Sequence, residues 1–92
     1  MREPFAPSFV KRLILEALSM DRVFFTNHAN QELANDGLSR RDVRIALRGG
    51  IVSPGELERG TYRYRVLTSS IVVVVAVHAQ TDVWVVTVWR LS

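Results

Sequence analysis

The 92-residue chain contains no cysteine, a single lysine and only two histidines. Without cysteine there is no disulfide, no thiolate nucleophile and no cysteine-ligated zinc or iron-sulfur site within these residues. The absence is compatible with a reducing compartment, and we therefore expect a cytoplasmic protein.

Long hydrophobic runs are also lacking. The longest, residues 71–77, is too short to cross a bilayer as a helix. Prolines and charged residues interrupt residues 1–20, where a signal peptide would need an unbroken apolar segment. We therefore expect no membrane partner. With 48% hydrophobic and 23% charged residues, the chain has the composition of a folded protein with one hydrophobic core, so a single domain over residues 1–92 is predicted.

The net charge is +3, and eleven of the twelve cations are arginine. The planar guanidinium suits phosphate and carboxylate contacts better than an ammonium does. Net charge alone is a weak indicator, because a clustered basic face is what marks nucleic-acid binding. Both a nucleic-acid surface and an ordinary solvated basic surface remain open at this point.

Apolar spacing predicts three helices in the first half of the chain, over about 8–19, about 27–35 and from Ser39 to the Gly49-Gly50 pair. The second helix would begin at an N-cap formed by Thr26 or Asn27 and end at Gly37. Ser39 and Asp42 have the spacing of a capping box for the third.

From residue 51 the sequence becomes rich in β-branched and aromatic residues. It predicts an antiparallel sheet of four strands, a short one near Ile51 followed by strands over about 61–68, 71–79 and 82–90. Short turns would place Arg65 opposite Val74, and Val74 opposite Thr87. The predicted fold class is α+β, with three N-terminal helices followed by a four-stranded antiparallel sheet.

Alternation of side chains then gives each face of the sheet a different character. The face apolar enough to receive the helices collects Tyr62, Tyr64, Val66, Val73, Val75, Val77, Trp84, Val86 and Val88. The opposite, open face collects Thr61, Arg63, Arg65, His78, Thr87 and Trp89.

The stretch "FTNHANQELANDGLSRRDVRIALRGGIV" resembles a bacterial family, the domain of unknown function family 4258. The shared pattern is an F-[ST]-x-H-A helix start, a G-[IL]-[ST] turn, a D-V helix ending in glycine, and later strands with "YRV" and "VVTV". It spans roughly residues 24–90. That family is grouped with the barnase, EndoU, colicin and RelE-like nucleases, so the resemblance implies a RelE-like domain acting as a ribonuclease toxin, or a relative of one. A toxin would be covered by a cognate antitoxin, a small acidic or extended protein.

One departure from the family pattern follows the histidine. Glu32 and Asp36 stand where the family commonly has arginines. Either a phosphate-binding function of those arginines is lost here, or structural ion pairs are reversed, with Arg40, Arg41 or Arg44 supplying the cation.

Metal-independent RNA cleavage needs a base, an acid and cations that hold the phosphate. His28 and His78 are the candidate catalytic residues, since imidazole titrates near neutral pH; a capping or packing role is the alternative for each. Candidate RNA-binding residues are Arg63 and Arg65 as a phosphate clamp, Thr87 beside a phosphate and Trp89 stacked on a base. The alternative for the two arginines is that they are simply solvated, for Thr87 that it is present for its β propensity, and for Trp89 that it packs at an interface.

We expect no metal and no cofactor, because His28, Glu32 and Asp36 share one helix and one helix rarely supplies three ligands to one ion.

Two other functions remain open beside RNA binding with ribonuclease toxin activity. The second and third predicted helices have the outline of a helix-turn-helix DNA reader with Arg40, Arg44 and Arg48 outward, although the strands would then have no role. A non-catalytic protein-interaction or dimerisation domain is favoured by the valine-rich strands, whose edges invite strand addition. A homodimer is compatible with any of these functions.

Overall fold

The computed structural model describes residues 2–91, and this part of the chain forms three helices and six strands packed as an α+β structure. The elements, in chain order, are α1 (Pro7–Ser19), β1 (Val23–Phe25), α2 (Asn27–Asp36), α3 (Arg40–Gly49), β2 (Ile51–Val52), β3 (Glu56–Glu58), β4 (Thr61–Leu67), β5 (Ile71–His78) and β6 (Asp82–Arg90). None of the described helices has the length and apolar character needed to cross a membrane.

The predicted helix boundaries are confirmed, because local signals set them. The Thr26 hydroxyl accepts a hydrogen bond from the backbone N–H of Ala29 and caps α2, which ends at Gly37 with a φ of 64°. At the start of α3, both hydrogen bonds of the Ser39–Asp42 capping box are present. The pKa of the Asp42 carboxyl is lowered, chiefly because the Ser39 backbone N–H donates to it.

The sheet is six-stranded and mixed. The four predicted strands are present and pair antiparallel, but the prediction omits β1 and β3, and the parallel pairing of β1 makes the sheet mixed. Its order is β1-β6-β5-β4-β2, and β3 pairs with the remaining length of β4. β1, predicted as a connector, runs parallel to β6 with Phe24 beside Trp84. β3 exists because Arg59 and Gly60, both with positive φ, form a tight hairpin turn that folds it onto β4.

The predicted register of the last three strands is confirmed. Arg65 lies opposite Val74, and Val74 lies opposite Thr87. The next pair, however, is Val75 with Val85, so Val86 is an extra residue and forms a β-bulge in β6.

This bulge corrects part of the predicted core face. Val83 and Val85 are buried against the helices, whereas Trp84 pairs with Ala76 and faces the open side. The prediction assumed that side chains alternate regularly along β6, which would have pointed Trp84 and Val86 toward the helices. The bulge interrupts this alternation. The other predicted core residues of the sheet, including Tyr64 and Val88, do pack in the core or against it.

All three helices contribute buried side chains to one core on the inner face of the sheet. At its edge, the fully buried Tyr64 accepts a hydrogen bond from the Phe5 backbone N–H at 2.9 Å and donates one to Glu3 at 2.7 Å. Lys11 joins α1 to the end of α3 by donating to the carbonyls of Leu47, Arg48 and Gly50. The helices therefore occupy one face and leave the other open.

Candidate nucleic-acid interface

A pocket of about 260 Å³ lies on the open face of the sheet. All four residues predicted to bind RNA line it. Arg63 and Arg65 come from β4, and Thr87 and Trp89 come from β6. The remaining lining residues are Glu56, Leu57, Glu58 and Val74.

Strand periodicity explains why these side chains meet. Residues two apart on a strand project from the same face, which pairs Arg63 with Arg65 and Thr87 with Trp89. β5 lies between the two strands, and its Val74 is directly opposite both Arg65 and Thr87. Val74 is only 7% exposed, so it forms an apolar floor with cations on one side and a hydroxyl and an indole on the other.

Both arginines face carboxylates that the sequence analysis did not place in the site. The Nε of Arg65 is 3.5 Å from Glu56 Oε1, and Nη1 of Arg63 is 3.8 Å from Glu58 Oε1. The signal that could have revealed them is the Arg59-Gly60 turn, because a two-residue hairpin loop sets Glu56 opposite Arg63. The pocket is therefore close to charge balance rather than strongly basic.

The surroundings of the two guanidinium groups differ. Arg65 lies over the Trp89 ring, with its guanidinium carbon 5.7 Å from the ring centroid. The Arg63 side chain is 27% exposed, and its buried Nε has no hydrogen-bond partner among residues 2–91. The Glu58 contact therefore leaves part of the hydrogen-bonding capacity of Arg63 unused.

The two histidines are not brought into this pocket. His28, the second residue of α2, has a side chain 61% exposed, with Nε2 3.7 Å from Glu32 Oε1. His78 is the exposed last residue of β5, opposite Asp82. It is four residues beyond Val74, about 13 Å along the strand. The structure thus assembles the predicted clamp without either predicted acid-base residue.

Most residues of the F-[ST]-x-H-A start have structural roles. Phe25 packs against the core and carries the Arg40 guanidinium 4.9 Å from its ring centroid, and Ala29 is fully buried. Thr26 caps α2 and also donates its hydroxyl hydrogen to the carbonyl of Val86 at 3.1 Å. Of these five residues, the exposed Asn27 and His28 contribute neither to the core nor to the cap.

Asp36 is hydrogen-bonded to Arg90, which is none of the three arginines proposed from the sequence, and its carboxylate accepts from a backbone N–H rather than from a guanidinium. The Arg90 backbone N–H donates to the Asp36 carboxylate at 3.1 Å, and the Arg90 guanidinium donates to the Asp36 carbonyl. Asp36 therefore ties the end of α2 to the end of β6, and its role is structural.

The basic stripe expected on α3 is partly occupied. Arg40 also donates to the Asn30 side chain, and Arg44 lies 3.2 Å from the carboxylate of Asp21. Each of these two arginines thus has an exposed partner within the fold, as Arg63 and Arg65 do. Nowhere in the described range do three histidines or carboxylates come together in a way that could hold a metal ion.

Comparison with known proteins gives one match. The family model described as Domain of unknown function (DUF4258) matches residues 25–90, from the end of β1 to the end of β6. No curated protein and no solved structure matches the chain significantly.

Proposed function

The chain belongs to the DUF4258 family, whose function is unknown, and we propose that it binds RNA through the pocket on the open face of its sheet. The observation that carries the proposal is the convergence of Arg63, Arg65, Thr87 and Trp89 in one pocket. Guanidinium and hydroxyl groups bind phosphate oxygens, and an indole stacks on a base. One strand of nucleic acid presents all of these partners together.

The carboxylates beside the arginines do not prevent phosphate binding. The four side chains are partly or largely exposed, and their nitrogen-to-oxygen distances are 3.5 and 3.8 Å. Ion pairs of this kind contribute only about 0–1 kcal/mol each. A phosphate can bind a guanidinium through two parallel hydrogen bonds, so it competes well for Arg63 and Arg65.

We also propose that the chain is related to the RelE-like nucleases, as its sequence implies. The arrangement of helices on one face of the sheet and an open opposite face is compatible with this relationship. Cleavage by the predicted imidazoles would need one of them at the bound phosphate, whereas neither His28 nor His78 lines the pocket. The geometry therefore supports RNA binding more strongly than it supports cleavage by these two histidines.

Titration of a labelled uridine oligonucleotide at several salt concentrations tests the proposal. The double variant Arg63→Ala/Arg65→Ala should bind more weakly, and its plot of log affinity against log salt should be shallower by about 1.4 for two lost phosphate contacts. The matched control is Arg12→Ala/Arg48→Ala, which removes the same charge from exposed positions on α1 and α3. Wild-type protein that fails to bind RNA at low salt would refute the proposal.

A second candidate, a protein-interaction or dimerisation domain, is favoured by the edge formed by β2 and β3. Ile51 is 74% exposed and Leu57 is 62% exposed, although both are large and apolar. An edge strand with such side chains can receive another strand. Sedimentation of the wild type and of Ile51→Lys at increasing concentration distinguishes a dimer formed through this edge from a monomer.

A further inference from the structure

We infer that the ligand of the open face is unpaired RNA, whose bases stack on both tryptophans of the chain, Trp84 and Trp89. The inference rests on the proposed RNA binding and specifies its substrate class. Both indoles lie on the open face of the sheet, which a regular strand would not allow.

The β-bulge places both indoles on one face. Trp84 and Trp89 are five positions apart, so in a regular strand they would project from opposite faces. Val86 is the extra residue that resets the alternation, and Trp84 therefore pairs with Ala76 while Trp89 pairs with Val72, both on the open side. Thr87, in the pocket, lies between them.

Each indole is arranged so that a base can reach it. Trp84 is 38% exposed and packs against Phe24, with ring centroids 5.1 Å apart and an interplanar angle of 30°. Trp89 lines the pocket and packs beneath the Arg65 guanidinium. Each indole is thus already held in place by a neighbouring side chain. Stacking of a base therefore costs little additional side-chain entropy.

The spacing of the two indoles indicates an extended strand. Their partners on β5, Ala76 and Val72, are four residues apart, about 13 Å along the sheet. Bases stacked within a duplex are only about 3.4 Å apart along each strand. Neighbouring stacked bases therefore cannot reach both Trp84 and Trp89. Both faces of a base inside a duplex are already covered by stacking, so the bases that stack on these indoles are unpaired, as in single-stranded RNA bound on an aromatic platform.

The charge of the face agrees with this substrate. Glu56 and Glu58 offset part of the attraction that Arg63 and Arg65 have for phosphate. Stacking does not depend on charge, and it adds binding energy to these phosphate contacts.

The test compares a uridine oligonucleotide with the duplex it forms with its complement, using the full chain and the variants Trp84→Ala and Trp89→Ala. We expect the single strand to bind at least about tenfold more tightly than the duplex, and each variant to lose about 5- to 150-fold in affinity for it. Trp84→Phe and Trp89→Phe keep an aromatic ring and should recover much of the loss. Ile45→Ala, an exposed apolar position on α3, is the matched control and should bind like the wild type.

The outcomes separate this inference from the proposed function. Equal affinity for single strand and duplex, or unchanged binding by both alanine variants, overturns stacking while leaving RNA binding in place. Failure of the wild type to bind either form overturns the proposed function and the inference with it. Circular dichroism of each variant checks folding, and if an alanine variant does not fold, the comparison of single strand with duplex by the wild type still tests the inference.

Discussion

The hydroxyl of Thr26 donates a hydrogen bond to the carbonyl of Val86, the extra residue of the β-bulge, at 3.1 Å. The same oxygen accepts from the Ala29 backbone N–H, and the Thr26 backbone N–H donates to Val85. One residue therefore starts α2 and holds the irregular part of β6. Because the bulge puts Trp84 on the open face, the hydrogen bond from Thr26 also stabilises the position of Trp84 on the proposed RNA surface.

Thr26→Ala should lower the free energy of unfolding by about 2 kcal/mol, since it removes both a helix cap and a hydrogen bond to the bulge. Thr26→Ser keeps the oxygen and should lose about 0.5 kcal/mol or less. Urea unfolding of the three proteins measures the differences. Equal stability of the alanine and serine variants would show that the hydroxyl contributes nothing.

Asp36→Ala should destabilise the protein by about 1 kcal/mol, because the carboxylate accepts the Arg90 backbone N–H and so fastens α2 to β6. Glu32→Ala, four residues earlier, is the control: it removes only the exposed contact with His28 and should change stability by about 0.5 kcal/mol or less. Chemical unfolding midpoints give the comparison. An equal effect of the two changes would contradict a structural role specific to Asp36.

Glu56→Gln/Glu58→Gln should strengthen RNA binding about 3- to 10-fold at low salt, because the variant frees Arg63 and Arg65 from their carboxylate partners. Glu16→Gln/Glu32→Gln changes the net charge equally at positions outside the pocket and should have a smaller effect. Oligonucleotide titration measures both. If the two double variants gain affinity equally, the gain comes from net charge and the pocket is not the binding site.

Gly50→Ala should destabilise the protein by about 1–3 kcal/mol through steric overlap. A Cβ there would lie 2.7 Å from the Ala46 carbonyl oxygen and 2.7 Å from a Val66 methyl carbon. Gly49→Ala meets nothing within 4 Å and lies at the end of α3, so it should be neutral or stabilising by up to about 1 kcal/mol. Thermal unfolding of the pair tests this contrast, and an opposite order of stability would contradict it.

Stability should fall as the pH rises from about 10 to about 12. Burial raises the pKa of Tyr64 from its ordinary value of 10.0 to about 12, so over this range the unfolded phenol ionises while the folded one stays neutral. The expected slope is up to about 1.4 kcal/mol per pH unit. Tyr64→Phe should be less stable than the wild type near neutral pH, but its stability should fall less steeply between about pH 10 and pH 12. If the slope is the same as in the wild type, other groups cause the fall in stability.

Local signals in the sequence were sufficient for the helices. The capping box at Ser39, the cap at Thr26 and the left-handed Gly37 each act within a few residues, so their effects can be read without the rest of the fold. The pairing of Arg65 with Val74 and of Val74 with Thr87 was also predictable, because short turns set the register of neighbouring strands. Four members of the pocket could be named for the same reason.

Several features of the fold that were missed depend on contacts between distant segments. β1 is too short to show a periodic pattern and forms only because β6 accepts it as a parallel neighbour. Asp36 finds its partner 54 positions away at Arg90, and the bulge at Val86 is held by Thr26, 60 positions away.

The sequence by itself thus determined the α+β class, the helix ends and the alternation that brings Arg63 and Arg65 to the open face. Only the tertiary structure decided that Trp84 joins Trp89 on that face and that the histidines lie outside the pocket. The physical reason is the range of the interactions: caps and turns act through neighbouring residues, whereas a bulge, an added strand and a shared pocket exist only after distant segments have packed.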